Sequence, residues 1–172
     1  TPDLEGKRLP WQVSIPTTLS AGEFNMGGGN VLDDRANHKI RVRHAGLYAH
    51  LIVLDPEMTV GTPDWLWLST GVKALDHCIE HLYCRGNQPA TDATALQAAE
   101  LLFNYLPRSA EASHDLNARL QCLLAAWLSM MGTPNVASGL SHALGHVIGV
   151  RYNAGHGYTS CVTQPYVMEY NR

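Results

Sequence analysis

The sequence predicts an α+β fold in two parts, in which a β-rich first part of roughly sixty residues precedes an all-helical second part. Before Pro63, apolar residues fall in short runs bounded by turn residues, which is typical of strands. After Pro63, apolar residues recur at helical spacing in successive segments. We therefore place a domain boundary near Thr62-Pro63, between residues 1–62 and residues 63–172.

The composition limits the classes of protein that remain possible. Of the 172 residues, 45% are apolar and 16% are charged, which allows a buried core and excludes a disordered chain. The net charge is −3 and basic residues cluster only at residues 39–44, so no nucleic-acid partner is expected. The four cysteines form no CxxC pair and are interpreted as reduced thiols of a cytoplasmic protein. Neither a signal peptide nor a membrane-length apolar run is found, so no membrane partner is expected.

The first part is predicted to hold three strands, at residues 12–16, 39–43 and 51–56, the last of them buried. Directly after the first strand come the hydroxyl groups of Thr17, Thr18 and Ser20. In α/β proteins, ligands bind at the carboxyl ends of strands. Hydroxyl-rich loops also cap helices or simply turn, and on sequence alone the turn is favoured.

Two further stretches of the first part are interpreted structurally. The glycine run at residues 27–29 is not taken as a phosphate-binding loop, because no helical pattern follows it. Residues 1–10 show no apolar period and no initiator methionine, so the sequence is expected to begin inside a larger protein.

The second part is predicted to hold five helices. Thr91 is expected to be the N-cap of the second helix and Pro107 to stop it. Gly132-Thr133-Pro134 is expected to end the third helix. The five predicted helices span Asp64–Tyr83, Thr91–Leu106, Asp115–Met131, Val136–Val150 and Tyr158–Tyr170.

The candidate site lies in the stretch from Gly139 to Gly157, which holds His142, His146 and His156. His142 and His146 are four residues apart, on one face of a predicted apolar helix, and the glycines around His156 allow a turn back toward them. Neutral imidazole is a common metal ligand and also transfers protons near pH 7. An HxxxH pair alone is as often a chance surface pair. Histidines on an apolar helix, however, need partners or a function.

The first helix carries a second set of polar residues. Asp76 and Glu80 are interpreted as a solvated face with intrahelical ion pairs. His77 would complete a three-histidine set with His142 and His156, which suits zinc or ferrous iron with one position left for substrate. Spacing alone does not show that these three side chains converge.

Four stretches in register resemble the iron-containing alcohol dehydrogenase superfamily, and within it most nearly the maleylacetate reductases. These are IPTTLSAGEF (15–24), LIVLDPEMT (51–59), STGVKALDHCIEHL (69–82) and SHALGHVIGVRYNAGHG (141–157). The resemblance implies the end of a Rossmann-like α/β nucleotide-binding domain followed by an all-helical, dehydroquinate-synthase-like C-terminal domain. The family's Gly-rich pyrophosphate turn is expected upstream of this sequence and its last helices downstream. A homodimer is also implied.

The resemblance also assigns roles to single residues. Thr17 and Thr18, in the loop with Ser20, match positions beside the nicotinamide cofactor, and Lys39 matches a lysine near its ribose. Three of the family's four metal ligands match histidines of this sequence, and one further histidine matches a residue that lines the active site without binding metal. The ligands are His77, His142 and His156, and the lining residue is His146. The helical spacing would instead pair His142 with His146.

Lys73 departs from the family pattern. The metal-dependent members have an aspartate at this position, four residues before the first histidine ligand. A cation within a few ångström of a divalent ion is repulsive, and a lysine that coordinates metal needs a pKa lowered by several units. The sequence therefore argues against bound iron or zinc. This agrees with the resemblance to the maleylacetate reductases, which implies an enzyme that works without a metal.

The resemblance implies reduction of maleylacetate, a dicarboxylate, to 3-oxoadipate by NADH or NADPH in the degradation of aromatic compounds. Hydride adds to the alkene carbon and negative charge appears on the ketone oxygen. Lys73 with His77, His142 or His156 would meet that charge, and His146 or His156 would donate the proton. Lys73 could instead bind a carboxylate of the substrate, and the sequence does not choose between these two roles. Two alternatives stay open: an iron- or zinc-dependent alcohol dehydrogenase, and a non-catalytic helical module.

Overall fold

A computed structural model describes residues 9–25, 28–33 and 38–172, with the backbone alone for most of residues 28–45 within that range. Within these described residues, four short strands precede five α-helices. The strands are β1 (Val13–Ser14), β2 (Gly28–Asp33), β3 (His38–Arg43) and β4 (Leu51–Ile52). The helices are α1 (Asp64–Tyr83), α2 (Pro89–Glu111), α3 (Leu116–Ser129), α4 (Leu140–Tyr152) and α5 (His156–Tyr170). The prediction for residues 1–10 falls mostly outside the described range.

The strands form two small sheets. β1 and β4 pair in parallel, with Val13 opposite Leu51, and β2 and β3 form an antiparallel hairpin. Gly28 and Gly29 open strand β2, where Gly28 pairs with Arg43, so no helix begins at these two residues. The predicted buried strand at 51–56 is wrong in length and in burial, since β4 has two residues and Leu51 is 56% exposed. Its partner β1 is equally short and covers little of it.

Of the predicted helices, α1 has the predicted bounds because Pro63 precedes it and its apolar spacing runs without interruption to Tyr83. α2 is longer than predicted, and both predicted ends are wrong. Gln88 is the N-cap and its N–H donates to Thr91 Oγ1 (3.0 Å), which places Thr91 in the first turn. Pro89 suits the first helical position because its missing N–H would be unpaired there anyway.

Pro107 lies inside α2 and does not stop it. The buried face of α2 continues from Leu106 to Ser109, whose Oγ accepts a hydrogen bond from Trp67 Nε1 (2.8 Å). These tertiary contacts offset the helix-breaking cost of an interior proline. The other three helices differ from their predicted bounds by at most four residues at an end, and α5 ends at Tyr170 as predicted. Asp115 caps α3 by accepting the Ala118 N–H (2.9 Å).

The core lies between α1, α2 and α3, and α5 packs on another side of α1. Trp67 is fully buried in this core, and the Arg119 guanidinium lies 4.6 Å from its ring centroid. Arg119 Nη1 also donates to the carbonyl oxygen of Thr59 (2.9 Å), which ties α3 to the segment before α1. α1 is thus the central helix. In the part of the chain that the structure describes, no helix has the length and apolar character needed to cross a membrane.

Candidate active site

One face of α1 forms the base of the site. Four residues, Lys73, Asp76, His77 and Glu80, share a face of the helix, because each lies three or four residues from two of the others. All four are buried, with exposed fractions between 0% for Asp76 and 9% for His77. The prediction that Asp76 and Glu80 form a solvated face is wrong. α5 packs against α1 and Glu80 binds the first turn of α4, and the sequence does not show which helix face receives such neighbours.

Lys73 lies at the centre of a buried hydrogen-bond network. Its Nζ lies 2.8 Å from Asp76 Oδ2 and 3.0 Å from His142 Nδ1. Ser160 of α5 donates its hydroxyl proton to the same Asp76 oxygen (2.8 Å). Buried charges are stable only when they are paired. The network therefore joins α1, α4 and α5 through one ion pair.

Three histidines, His142, His146 and His156, lie close together in the folded chain. The ring centroid of His142 lies 4.8 Å from that of His146 and 5.3 Å from that of His156, and His146 and His156 are 4.7 Å apart. One ring nitrogen from each of these three lies within 4.8 Å of the others. The ring of His77 also neighbours His142, with 5.9 Å between ring centroids.

The chain returns to bring His156 into this cluster. Asn153 ends α4 in the left-handed conformation (φ 50°, ψ 38°), and the Ala154 N–H donates to the carbonyl of Gly149 (3.1 Å). α5 then begins at His156. Gly157 allows α5 to approach α1 closely, because a Cβ there would lie 2.7 Å from the carbonyl oxygen of Ser69. The predicted turn back toward α4 is confirmed.

Burial and Lys73 keep the central imidazoles neutral. Burial lowers the pKa of His142 to about 3, and the positive charge of Lys73 acts in the same direction. The same two causes, burial first, hold the pKa of His77 well below its usual value. Neutral imidazoles offer one N–H donor and one lone pair each, so hydrogen bonds decide which nitrogen carries the proton.

The Glu80 side chain positions His142 by binding the backbone of α4. Its two carboxylate oxygens accept the N–H of Gly139 (3.0 Å) and the N–H of His142 (2.9 Å), at the positively polarised start of α4. Gly139 is needed here, since a Cβ would lie 2.7 Å from the Glu80 carboxylate and from the Tyr83 hydroxyl. Two residues of α1 therefore contact His142: Glu80 binds its backbone N–H, and Lys73 binds its imidazole ring.

Glu80→Ala is expected to lower the free energy of unfolding by about 2 kcal/mol, because two partly buried N–H groups lose a charged acceptor. It is also expected to lower kcat more than tenfold, since His142 is no longer fixed. Urea denaturation and steady-state kinetics measure the two effects. Glu100→Ala, which removes an exposed carboxylate from α2, is the matched control. Equal stability of the two variants would contradict the assigned role.

The predicted cofactor loop is anchored to α1. The buried Leu19 donates its N–H to Thr70 Oγ1 (3.1 Å), one turn before Lys73, and Thr62 Oγ1 donates to the carbonyl of Thr17 (2.6 Å). Thr18 Oγ1 and Ser20 Oγ are hydrogen-bonded to each other (2.9 Å). Thr17 and Ser20 are exposed and can contact a polar ligand.

The structure does not test every predicted site residue. Lys39 lies in β3, opposite Leu32, and its side chain is outside the described part of the chain. Sequence reasoning missed Ser160 and did not give Asp76 or Glu80 a role in the site. The sequence could have indicated a role in the site for Asp76 and Glu80, because both lie on the same helix face as Lys73 and His77. Ser160 carried no signal at all.

Comparison with known proteins identifies the family. Residues 67–172 match the C-terminal domain of the Fe-containing alcohol dehydrogenase family. The chain belongs to this family. The predicted resemblance to the iron-containing alcohol dehydrogenases is confirmed at the level of the family. The helical second part agrees with the matched domain.

Several dehydrogenases and reductases of the family are similar to the chain. Dehydrogenase ALT3 of Alternaria alternata is 37% identical over 92% of the chain and 44% of its own length. Maleylacetate reductase of Pseudomonas sp. (strain P51) is 32% identical over the same fractions. The structure of sulfoacetaldehyde reductase from Bifidobacterium kashiwanohense in complex with NAD+ superposes with a TM-score of 0.87 at 25% identity, over 98% of the chain and 46% of that protein. The chain spans less than half the length of these relatives.

Proposed function

We propose that the chain is part of an NAD(P)H-dependent reductase that converts maleylacetate to 3-oxoadipate in the degradation of aromatic compounds, without a bound metal. The observation that carries the proposal is the position of Lys73, whose Nζ lies 3.0 Å from His142 Nδ1. The metal-dependent members that the sequence resembles have an aspartate there. The similarity to maleylacetate reductases supports the substrate class.

The residues around His142 do not fit the iron that the family name implies. Lys73 pairs with Asp76 and is therefore an ammonium, which donates to His142 Nδ1. A neutral His142 then carries its own proton on Nε2, so both nitrogens are occupied and neither offers a lone pair to a metal. His142 belongs to both possible three-histidine sets, one with His77 and one with His146. A divalent ion would also meet the positive charge of Lys73.

The loop of Thr17, Thr18 and Ser20 would hold the nicotinamide end of the cofactor, which supplies the hydride when it is bound. Its fit rests on the exposed hydroxyls of Thr17 and Ser20 and on the anchoring of the loop through Thr70 to the helix that carries Lys73. A polar ligand bound in the loop would therefore lie near the helix face that carries Lys73.

The chemistry that remains for the protein is to stabilise charge and to move one proton. When hydride adds to the alkene carbon of maleylacetate, negative charge develops on the ketone oxygen. The ammonium of Lys73, acting through His142, stabilises that charge. His146 or His156 then donates a proton to the adjacent carbon, which completes the reduction. The substrate is a dicarboxylate, and a site built around a cation without a metal suits its negative charge.

One observation favours a second candidate. Ring nitrogens of His142, His146 and His156 lie within 4.8 Å of one another, a spacing that a metal-dependent alcohol dehydrogenase could use. A substrate panel on the full-length protein separates the two functions. We expect oxidation of NADH or NADPH with maleylacetate and little reduction of NAD+ with ethanol or 1,3-propanediol. The reverse preference would favour the alcohol dehydrogenase.

A further inference from the structure

The starting observation is the double contact of Lys73. An ammonium has three N–H donors and no acceptor. One of these reaches Asp76 Oδ2 (2.8 Å) and another reaches His142 Nδ1 (3.0 Å). Lys73 is 3% exposed and Asp76 is 0% exposed, so water solvates neither charge and each depends on the other for stabilisation.

The direction of the hydrogen bond to His142 follows from Asp76. If His142 Nδ1–H donated to a neutral lysine, Asp76 would remain as a buried carboxylate with no cation beside it. The other partner of the Asp76 carboxylate is Ser160, and Asp76 Oδ1 has no hydrogen-bond partner among the residues that the structure describes. An uncompensated buried carboxylate is strongly destabilising. Lys73 is therefore the donor, and His142 Nδ1 is the acceptor.

We propose that Lys73 fixes His142 as the Nε2–H tautomer and that the cluster of His142, His146 and His156 is consequently a receptor for an oxyanion and not for a cation. The inference rests on the proposed function only for the identity of that oxygen, which would be the ketone oxygen of the substrate as it gains charge. The tautomer itself follows from the hydrogen bonds of Lys73.

The ammonium also strengthens His142 as a donor. A positive charge 3.0 Å from Nδ1 withdraws electron density from the ring and polarises the N–H on the opposite nitrogen. This arrangement is the reverse of a carboxylate–histidine pair, in which the charged partner makes the imidazole a better base or metal ligand. Glu80 keeps the backbone of His142 in place for this contact (2.9 Å). The site thus favours a ligand oxygen that carries negative charge, such as a carboxylate or an enolate.

Nitrogen-15 NMR of the full-length protein, labelled at histidine and treated with chelator, tests the tautomer. We expect His142, assigned by comparison with His142→Gln, to show a protonated Nε2 and an unprotonated Nδ1. Loss of this pattern is expected in Lys73→Met/Asp76→Asn, in which no buried charge is left unpaired. Arg151→Met, which removes an exposed cation from α4, is the matched control and is expected to keep the pattern. A His142 protonated on Nδ1 in the wild-type protein would overturn the inference.

Two binding probes test the sign of charge that the cluster accepts. Wild-type protein is expected to bind oxalate and to retain less than a tenth of an equivalent of Zn²⁺ after dialysis. The double variant is expected to bind oxalate at least tenfold more weakly, and Arg151→Met is expected to behave like wild type. Stoichiometric zinc retention by the wild-type protein would overturn the inference. Failure of the proposed function would look different: maleylacetate would not be reduced, while the tautomer and the zinc result would stand.

Discussion

Lys73→Met is expected to lower kcat/KM for maleylacetate reduction about a hundredfold, the lower end of the effect seen when a direct donor to a developing oxyanion is removed, because Lys73 acts through His142. Methionine fills similar space but carries no charge, so nothing polarises His142. The same change leaves Asp76 buried without its cation, which is expected to lower the free energy of unfolding by about 3 to 5 kcal/mol. Steady-state kinetics and urea denaturation measure the two losses.

The double variant Lys73→Met/Asp76→Asn separates catalysis from stability. Asparagine still accepts the Ser160 hydroxyl and brings no charge into the interior, so most of the lost stability is expected to return. Activity is expected to stay about a hundredfold below wild type, because the cation is still absent. Recovery of activity together with stability would show that Lys73 has only a structural role. Arg151→Met serves as the control for the loss of a positive charge.

Acidification is expected to destabilise the fold from about pH 6.5 downward. The folded protein holds His142 at a pKa of about 3, and burial lowers the pKa values of His77 and His81 as well. Below the ordinary histidine pKa, the unfolded chain therefore binds more protons than the folded one, and stability falls as pH falls. Each such histidine contributes up to about 1.4 kcal/mol per pH unit until its folded-state pKa is reached.

Glu80 acts in the opposite direction over part of this range. Burial raises its pKa, so the folded state takes up that proton before the unfolded state does, which offsets part of the loss. Urea denaturation at pH 7.5, 6.5, 5.5 and 4.5 measures the net slope. His142→Gln is expected to reduce the slope by up to one proton between pH 6.5 and 4.5. The control His114→Gln removes an exposed histidine, and an equal effect of both variants would contradict the assignment.

The helical part could be predicted from the sequence because its signals are local. The bounds of α1 follow from Pro63 and from uninterrupted apolar spacing, and the return of His156 follows from the glycines beside it. The predicted ends of α2 were wrong for two reasons. Thr91 caps the helix from inside its first turn, and tertiary contacts beyond Pro107 continue the helix past a residue that usually ends one. Local patterns do not show which contacts a folded chain forms.

In the candidate site, too, some residues could be predicted from local sequence patterns and others could not. The histidines and Lys73 could be selected from the sequence, through their spacing and the family resemblance. Asp76 and Glu80 were taken for solvated residues, because their spacing suits an exposed helix face as well as a buried one. Their burial depends on α5 and on the start of α4, which meet α1 only in the folded chain. The reading of Lys73 as a cation held by Asp76 therefore required the structure.

The division of the chain at Thr62-Pro63, its homodimeric state and its choice between NADH and NADPH stay predictions. Gel filtration combined with light scattering of the full-length protein measures the oligomeric state, and we expect a dimer. Initial rates with each nucleotide at equal concentration measure the cofactor preference.

The most direct test of a metal-free reductase is NADH oxidation by the full-length protein with maleylacetate, after exhaustive chelation and with a metal assay of the same sample. The account predicts undiminished turnover in protein that holds less than a tenth of an equivalent of iron or zinc. Turnover that is lost on chelation and restored by iron or zinc would contradict it, because the histidines would then bind a metal despite Lys73.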